Sequence, residues 1–220
     1  TLPAAFAAER CNARAVAVLG GPAHAAEMLD RGASIVLASL DRGFARQLRD
    51  ALAAANLDVT VTTDVTGVEL AGCAKNAAAL AAAAASGAGP NIAGAAAGKV
   101  FAEIDALARA RGAAPETFAG LAGAGDLVAT VVASGSRNRR AGELLAQGMP
   151  SGEIGAALGH AAEAVDTVPL LADAARQAHL DTPALDGLAA LVEGRIAPER
   201  WAAAVAAPAP RKSRRSIRAA

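Results

Sequence analysis

Between Ala77 and Ala85 the chain reads Ala-Ala-Ala-Leu-Ala-Ala-Ala-Ala-Ala, and this run constrains the fold more than any other feature. Alanine has the highest intrinsic helix propensity, so the run predicts a helix, over about 65–86 once its flanks are included. Each alanine buries little area, so such a helix is stabilised only where neighbours surround it closely. Small side chains permit that approach. The helix therefore belongs at the centre of a helical domain. Lys75 is the one cation within it.

Upstream the pattern is different. Ala15 to Leu19 is a short apolar run closed by Gly20-Gly21-Pro22, as expected for a buried strand turning toward a helix. Ser34 to Ser39 reads as a second strand and Val59 to Thr63, rich in β-branched residues, as a third. Asp41 opens an amphipathic helix with Phe44, Leu48 and Leu52 on one face. This order predicts the distal half of a Rossmann-type parallel sheet. From Asp64 onward strand signals cease. Helices are predicted at about 65–86, 91–111, 115–121, 136–147, 151–158, 162–178, 183–191 and 197–206. The predicted fold class is α/β followed by all-α. Residues 1–63 form the distal part of an incomplete dinucleotide-binding domain, 64–206 a larger helical substrate-binding and catalytic domain, and 207–220 a disordered basic tail.

Composition excludes several functions. Net charge is zero over 220 residues, which argues against a nucleic-acid or membrane partner on bulk charge. Cys11 and Cys73 lie far apart, and His24, His160 and His179 lack ligand spacing, so neither a disulfide nor a metal is expected. A reducing cytoplasm is the expected compartment. The N-terminus lacks a signal-peptide layout, and the longest uncharged stretch, 76–98, is too interrupted by Gly, Pro and Asn for a membrane span.

Two clusters carry chemistry. The first is Lys75-Asn76, on a helix otherwise small and apolar. A lysine there either reaches out to solvent or is held in a site. In a site, partial desolvation would let its amine pass a proton to or from a substrate hydroxyl. Asp126, in the glycine-rich stretch Gly123-Ala124-Gly125, suits such an ammonium or a substrate hydroxyl; it also suits a helix cap. The second cluster is Gly135-Ser136-Arg137-Asn138-Arg139-Arg140, at the predicted start of a helix stopped by Gly148. Free N–H groups of a first helical turn and an arginine fork suit a phosphate. A solvated basic face is the alternative.

Together these segments resemble the bacterial-type NAD(P)-dependent glycerol-3-phosphate dehydrogenases, from about Ala15 to about Val205. The landmarks are Val18-Leu19-Gly20-Gly21-Pro22, Gly67-Val68-Glu69-Leu70, Ala74-Lys75-Asn76, Gly123-Ala124-Gly125-Asp126-Leu127, Ser136-Arg137-Asn138-Arg139-Arg140 and Glu163-Ala164-Val165-Asp166-Thr167. The resemblance implies oxidation of glycerol 3-phosphate to dihydroxyacetone phosphate, with NAD or NADP as cofactor, feeding phospholipid synthesis. It implies that Lys75 is the base. Gly21, Lys75, Asp126, Ser136, Arg137 and Asn138 would bind the small-molecule substrate, and Ala25, Arg137 and Glu163 would lie near the nicotinamide. A homodimer is compatible with it.

The departures are specific. Ala23 stands where the family has a hydroxyl, and His24 where an aromatic is expected, so His24 reads as a packing substitute rather than a base. His160, Ala161, Ala162 and Ala164 depart from the pattern around Glu163. No G-x-G-x-x-G follows a strand within these residues, and the chain begins with Thr1, which suggests a fragment with little turnover of its own. Two other readings remain open: a related β-hydroxyacid dehydrogenase, and a non-catalytic helical module that binds a phosphometabolite or a partner chain.

Overall fold

The computed structural model describes residues 1–133 and 135–207, so that most of the basic tail lies outside the described residues. After a short helix α1 (Pro3–Arg10), the chain forms β1 (Val18–Gly20), α2 (Ala25–Arg31), β2 (Ala33–Ala38), α3 (Arg42–Ala53) and β3 (Leu57–Thr62). The described residues beyond Thr62 contain no strand. There follow α4 (Val65–Ala84), α5 (Pro90–Ala110), α6 (Pro115–Ala119), α7 (Asp126–Val132), α8 (Arg137–Ala146), α9 (Ser151–Leu158), α10 (Glu163–Gln177), α11 (Pro183–Val192) and α12 (Pro198–Ala206). This is the α/β-then-helical architecture expected.

The sheet is mixed rather than wholly parallel. β2 and β3 are parallel, with Ala33 opposite Leu57 and Ala38 opposite Thr62. β1 runs antiparallel to β2, with Val18 opposite Ala38 and Gly20 opposite Val36. The two connections explain the difference. Between β2 and β3, α3 starts from the Asp41 cap, whose Oδ1 accepts from the N–H groups of Gly43 and Phe44 at 2.8 and 2.9 Å. Phe44, Leu48 and Leu52 are half-buried, as a crossover helix lying on its sheet requires. Between β1 and β2, α2 is only seven residues long and its Leu29 stays exposed. A helix that does not cross the sheet returns the chain at the same end, and the strands meet antiparallel.

α4 has no polar stripe. Leu70, Ala71, Ala74, Ala77, Ala78, Leu80 and Ala81 are each at most 1% exposed, and Val68, Ala79 and Ala83, on the other side of the helix, at most 5%. α5 and α8 lie along it, and α6, α7 and α10 close the remainder. The expected central helix is therefore present, with Asp64 as its N-cap. Asp64 Oδ1 accepts from Gly67 N at 2.8 Å, and Oδ2 accepts from Ala114 N and Thr117 Oγ1 at 2.9 and 2.5 Å. One carboxylate thus starts α4 and anchors α6 beside it.

A second carboxylate organises the far side. Glu103 of α5 accepts from Ala184 N at 3.1 Å and Leu185 N at 2.7 Å, filling the N-terminus of α11. Burial raises its carboxyl pKa above the ordinary range, against the lowering effect of those two N–H groups. A raised pKa means that the folded state holds the proton more firmly than the unfolded one. Through this group, stability therefore falls as pH rises from the ordinary carboxyl value to the raised one. Glu103→Ala is expected to lose about 1–2 kcal/mol near neutral pH, because two N–H groups lose their acceptor. Urea unfolding at pH 7 measures this, and a loss below the error of the method would refute the cap.

Candidate active site

Lys75 projects from α4 toward the start of α7. Its Nζ lies 3.0 Å from Asp126 Oδ1 and 2.9 Å from Oδ2. Asp126 is 5% exposed, and the Lys75 side chain 21%. The expected glycine-rich turn before Asp126 is a π turn, Leu121–Gly125, closed by the Gly125 N–H donating to Gly120 O at 3.1 Å. It ends α6 and restarts the chain as α7 with Asp126 at its first position, a helix not predicted from the sequence.

Burial raises the Asp126 carboxyl pKa; the hydrogen bond and charge of Lys75 and the charge of His24 oppose that rise.

Ser136, Arg137 and Asn138 stand where the sequence places them, at the head of α8. Ser136 is the N-cap, its Oγ accepting from Arg139 N at 3.3 Å. Asn138, 5% exposed, accepts at Oδ1 from Ala164 N at 3.0 Å and donates from Nδ2 to Glu163 Oε2 at 3.4 Å. Arg137 Nη2 donates to Glu163 Oε1 at 2.7 Å, with both side chains nearly half exposed. Glu163 thus joins the arginine, the asparagine and the start of α10.

A cleft of about 810 Å³ contains Gly20, Gly21, Ala23, Lys75, Asn76, Asp126, Glu163 and Thr167 in its walls. It continues over an apolar stretch that includes Val18, Leu19, Met28 and Ile35. Ser136, Arg137 and Asn138 do not line it; Arg137 and Asn138 reach it through Glu163, and Ser136 stands beside them as the cap of α8. Ala25 opens α2, exposed and outside the lining. A second cavity of about 670 Å³ lies beneath α1, but its Asp41 and Asp64 carboxylates already serve as helix caps.

Several cleft residues escaped the sequence reading. Glu69, Gly72 and Cys73 line one wall together with Lys75 and Asn76 and follow a helical period, a signal that Lys75 alone could have phased. Glu69 Oε1 accepts from Ala4 N at 2.7 Å, and burial raises its carboxyl pKa. Burial, helped by the Glu69 charge, also raises the Cys73 thiol, which keeps it protonated and a poor nucleophile. Thr130, one turn beyond Asp126 and 4% exposed, has a buried hydroxyl without a hydrogen-bond partner. Its polar character within Leu127-Val128-Ala129-Thr130-Val131-Val132 was the available clue. His24 is a correction. It does not replace a packed aromatic ring, because its side chain is exposed at the end of the Gly-Pro turn.

Comparison with known proteins shows the family. The family described as NAD-dependent glycerol-3-phosphate dehydrogenase C-terminus matches residues 64–203. Glycerol-3-phosphate dehydrogenase [NAD(P)+] of Paracoccus denitrificans is 41% identical over 203 residues, covering 90% of this chain and 63% of the relative. A Salinibacter ruber enzyme of the same description, its number 2, is 39% identical over 180 residues, covering 80% of this chain and 52% of the relative. The crystal structure of glycerol-3-phosphate dehydrogenase from Coxiella burnetii superposes with a TM-score of 0.81 at 29% identity, covering 88% of this chain and 61% of that one. The chain therefore spans less than two thirds of the length of these relatives. Among the described residues, no single helix is long and apolar enough to cross a membrane.

Proposed function

Because the chain belongs to the family of NAD-dependent glycerol-3-phosphate dehydrogenases, we propose that it grips sn-glycerol 3-phosphate and handles the proton in its oxidation to dihydroxyacetone phosphate. The observation that carries this reading is the bidentate Lys75–Asp126 contact, set in a cleft lined by Glu163, which in turn holds Arg137 and Asn138. Lys75 Nζ accepts the C2 hydroxyl proton while C2 gives up a hydride. Asp126 holds the amine in place and shares its proton. Ser136, Arg137 and Asn138 take the phosphate. The Arg137–Glu163 pair suits that role because an ion pair this exposed is worth about 0–1 kcal/mol, so a phosphate can displace the carboxylate. Holding the phosphate orients C2 against Nζ.

NAD or NADP supplies the hydride acceptor when bound. The residues present fit its nicotinamide end: Glu163, which holds Arg137, offers polar contacts in the cleft of Lys75, and the wall formed by Val18, Met28 and Ile35 is apolar. Ala25, exposed at the head of α2, belongs to the same proposed contact. A strand–G-x-G-x-x-G–helix cradle for the pyrophosphate is not among these 220 residues. A cytoplasmic location and a homodimer complete the reading; Val128, Val131 and Val132 give α7 an exposed apolar face for a second copy.

Isothermal calorimetry tests the assignment. The chain should bind sn-glycerol 3-phosphate at least tenfold more tightly than glycerol. Arg137→Ala should remove about tenfold or more of that affinity, as expected for losing hydrogen bonds to a charged group. Equal binding of the two ligands would reject the phosphate clamp.

A further inference from the structure

We propose that Thr167 selects the substrate by its free primary hydroxyl, accepting a hydrogen bond from it while the phosphate and C2 are held elsewhere in the cleft. The inference rests on the substrate proposed above. Glycerol 3-phosphate carries three polar groups: the phosphate, the C2 hydroxyl and the hydroxyl on C1. Ser136, Arg137 and Asn138 account for the first in that reading, and Lys75 for the second. The third is unassigned.

Thr167 lines the cleft together with Lys75, Asp126 and Glu163. Among the described residues of that lining it carries the only side-chain hydroxyl; Ala23 has a methyl where related sequences have a hydroxyl. Thr167 follows Glu163 by four residues on α10, so the two side chains share one face of the helix, about 6 Å apart along its axis. α10 packs against α4, the helix of Lys75. A three-carbon chain whose phosphate takes the place of the Glu163 carboxylate on Arg137 has only one helical turn to span to reach Thr167.

The protein sets the direction of the bond. Thr167 Oγ1 donates to Glu163 O at 2.9 Å, the back-bond of a helical threonine. With its hydrogen engaged, the oxygen can only accept from a ligand. That excludes a dianionic phosphate and the C2 carbonyl of the product, neither of which has a proton to give. The C1 hydroxyl can donate in both glycerol 3-phosphate and dihydroxyacetone phosphate, so the contact persists across the reaction. The other polar groups of the lining are engaged or poorly suited. Lys75 and Asp126 hold each other, Glu69 accepts from Ala4 N, Glu163 holds Arg137 and Asn138, and the Cys73 thiol bonds weakly. Asn76 adjoins Lys75, beside the proposed place of C2.

Isothermal calorimetry on the 220-residue chain, with nucleotide left out, tests this. It compares sn-glycerol 3-phosphate with 2-hydroxypropyl phosphate of the same configuration, which keeps the phosphate and the secondary alcohol and has a methyl in place of the free hydroxymethyl group. The parent should bind the first about tenfold or more tightly, because the second leaves the acceptor without its donor. Thr167→Val, which keeps the branched shape, should lose that factor for sn-glycerol 3-phosphate and retain the parent's affinity for 2-hydroxypropyl phosphate. Thr167→Ser should restore the preference. Equal binding of the two ligands by the parent overturns the proposal, as does a preference that survives in Thr167→Val. Loss of affinity for both ligands in Thr167→Val marks a structural role and overturns it too. A preference kept in Thr167→Val and abolished in Asn76→Ala assigns the hydroxyl to Asn76 instead. Without nucleotide, the nicotinamide carboxamide, the other donor of the reaction, has no part in the preference. A parent that binds sn-glycerol 3-phosphate no more tightly than glycerol rejects the phosphate clamp and this inference with it, whereas each of the other failures removes only the role of Thr167.

Discussion

Lys75→Met should lower the unfolding free energy by about 3–5 kcal/mol at pH 7, because it leaves a carboxylate buried without its partner. Asp126 is 5% exposed and both its oxygens contact Nζ, so solvent cannot replace the ammonium. The loss depends on pH in a defined direction. Burial already raises the Asp126 pKa, and removing Lys75 takes away the main opposing effect, so the folded variant holds its carboxyl proton more firmly still. The unfolded chain titrates at the ordinary value of about 3.9. As pH rises above that, the unfolded state gives up its proton first and the variant loses stability; toward pH 4 the deficit should shrink as Asp126 becomes neutral. Urea unfolding at pH 4 and pH 7 measures both limits. Any nicotinamide-linked hydride transfer should fall by about 10²–10⁴ in the same variant, the usual contribution of a positioned proton acceptor. A pH-independent loss would mean that the carboxylate is not paired as described.

The second large effect is steric. A Cβ on Gly142 would stand 2.3 Å from Leu80 O, 2.7 Å from Ala83 Cβ and 3.0 Å from Ala84 N. Two of those atoms are backbone of the central helix, which is packed on all sides and cannot move aside. Gly142→Val should therefore separate α8 from α4 and lose about 3 kcal/mol or more, at or beyond the usual cost of overpacking. For a chain of this size that corresponds to a fall in Tm of about 6–12 °C. α8 carries Arg137 and Asn138 at its head and α4 carries Lys75, so the same substitution should weaken phosphate binding from a distance. Gly155→Ala on α9, where an added Cβ meets nothing within 4 Å, is the control and should leave Tm unchanged or slightly higher.

These two sites show what could be read from the sequence. An all-alanine helix must be surrounded, so the position of α4 was legible before any contact was known. A cation alone in that helix was legible as a candidate base. Its pairing with Asp126 crosses 51 positions, and only chemical complementarity suggested it. The strand at Ile35–Ala38 was legible from its apolar side chains, but the direction of β1 was not, since three residues carry no periodicity that encodes their sense of pairing. α7 was missed because Gly123 and Gly125 read as turn signals, while the chain uses them in a π turn that resumes as helix. His24 was misread because its place was judged from an aromatic in related sequences. Solvent exposure depends on the path of the whole Gly21–His24 turn, which no local pattern reports. The apolar wall of the cleft was invisible for a similar reason: it joins strand residues and helix residues that only the fold brings together.

The most direct measurement of the central claim is an NMR titration of the labelled chain with sn-glycerol 3-phosphate, recording backbone and side-chain shifts. The account predicts saturable changes concentrated at Lys75, Asn76, Asp126 and the turn 136–138, strongly reduced in Arg137→Ala. Shifts confined to other surfaces, or shifts at Lys75 and Asp126 that leave 136–138 unmoved, would contradict it.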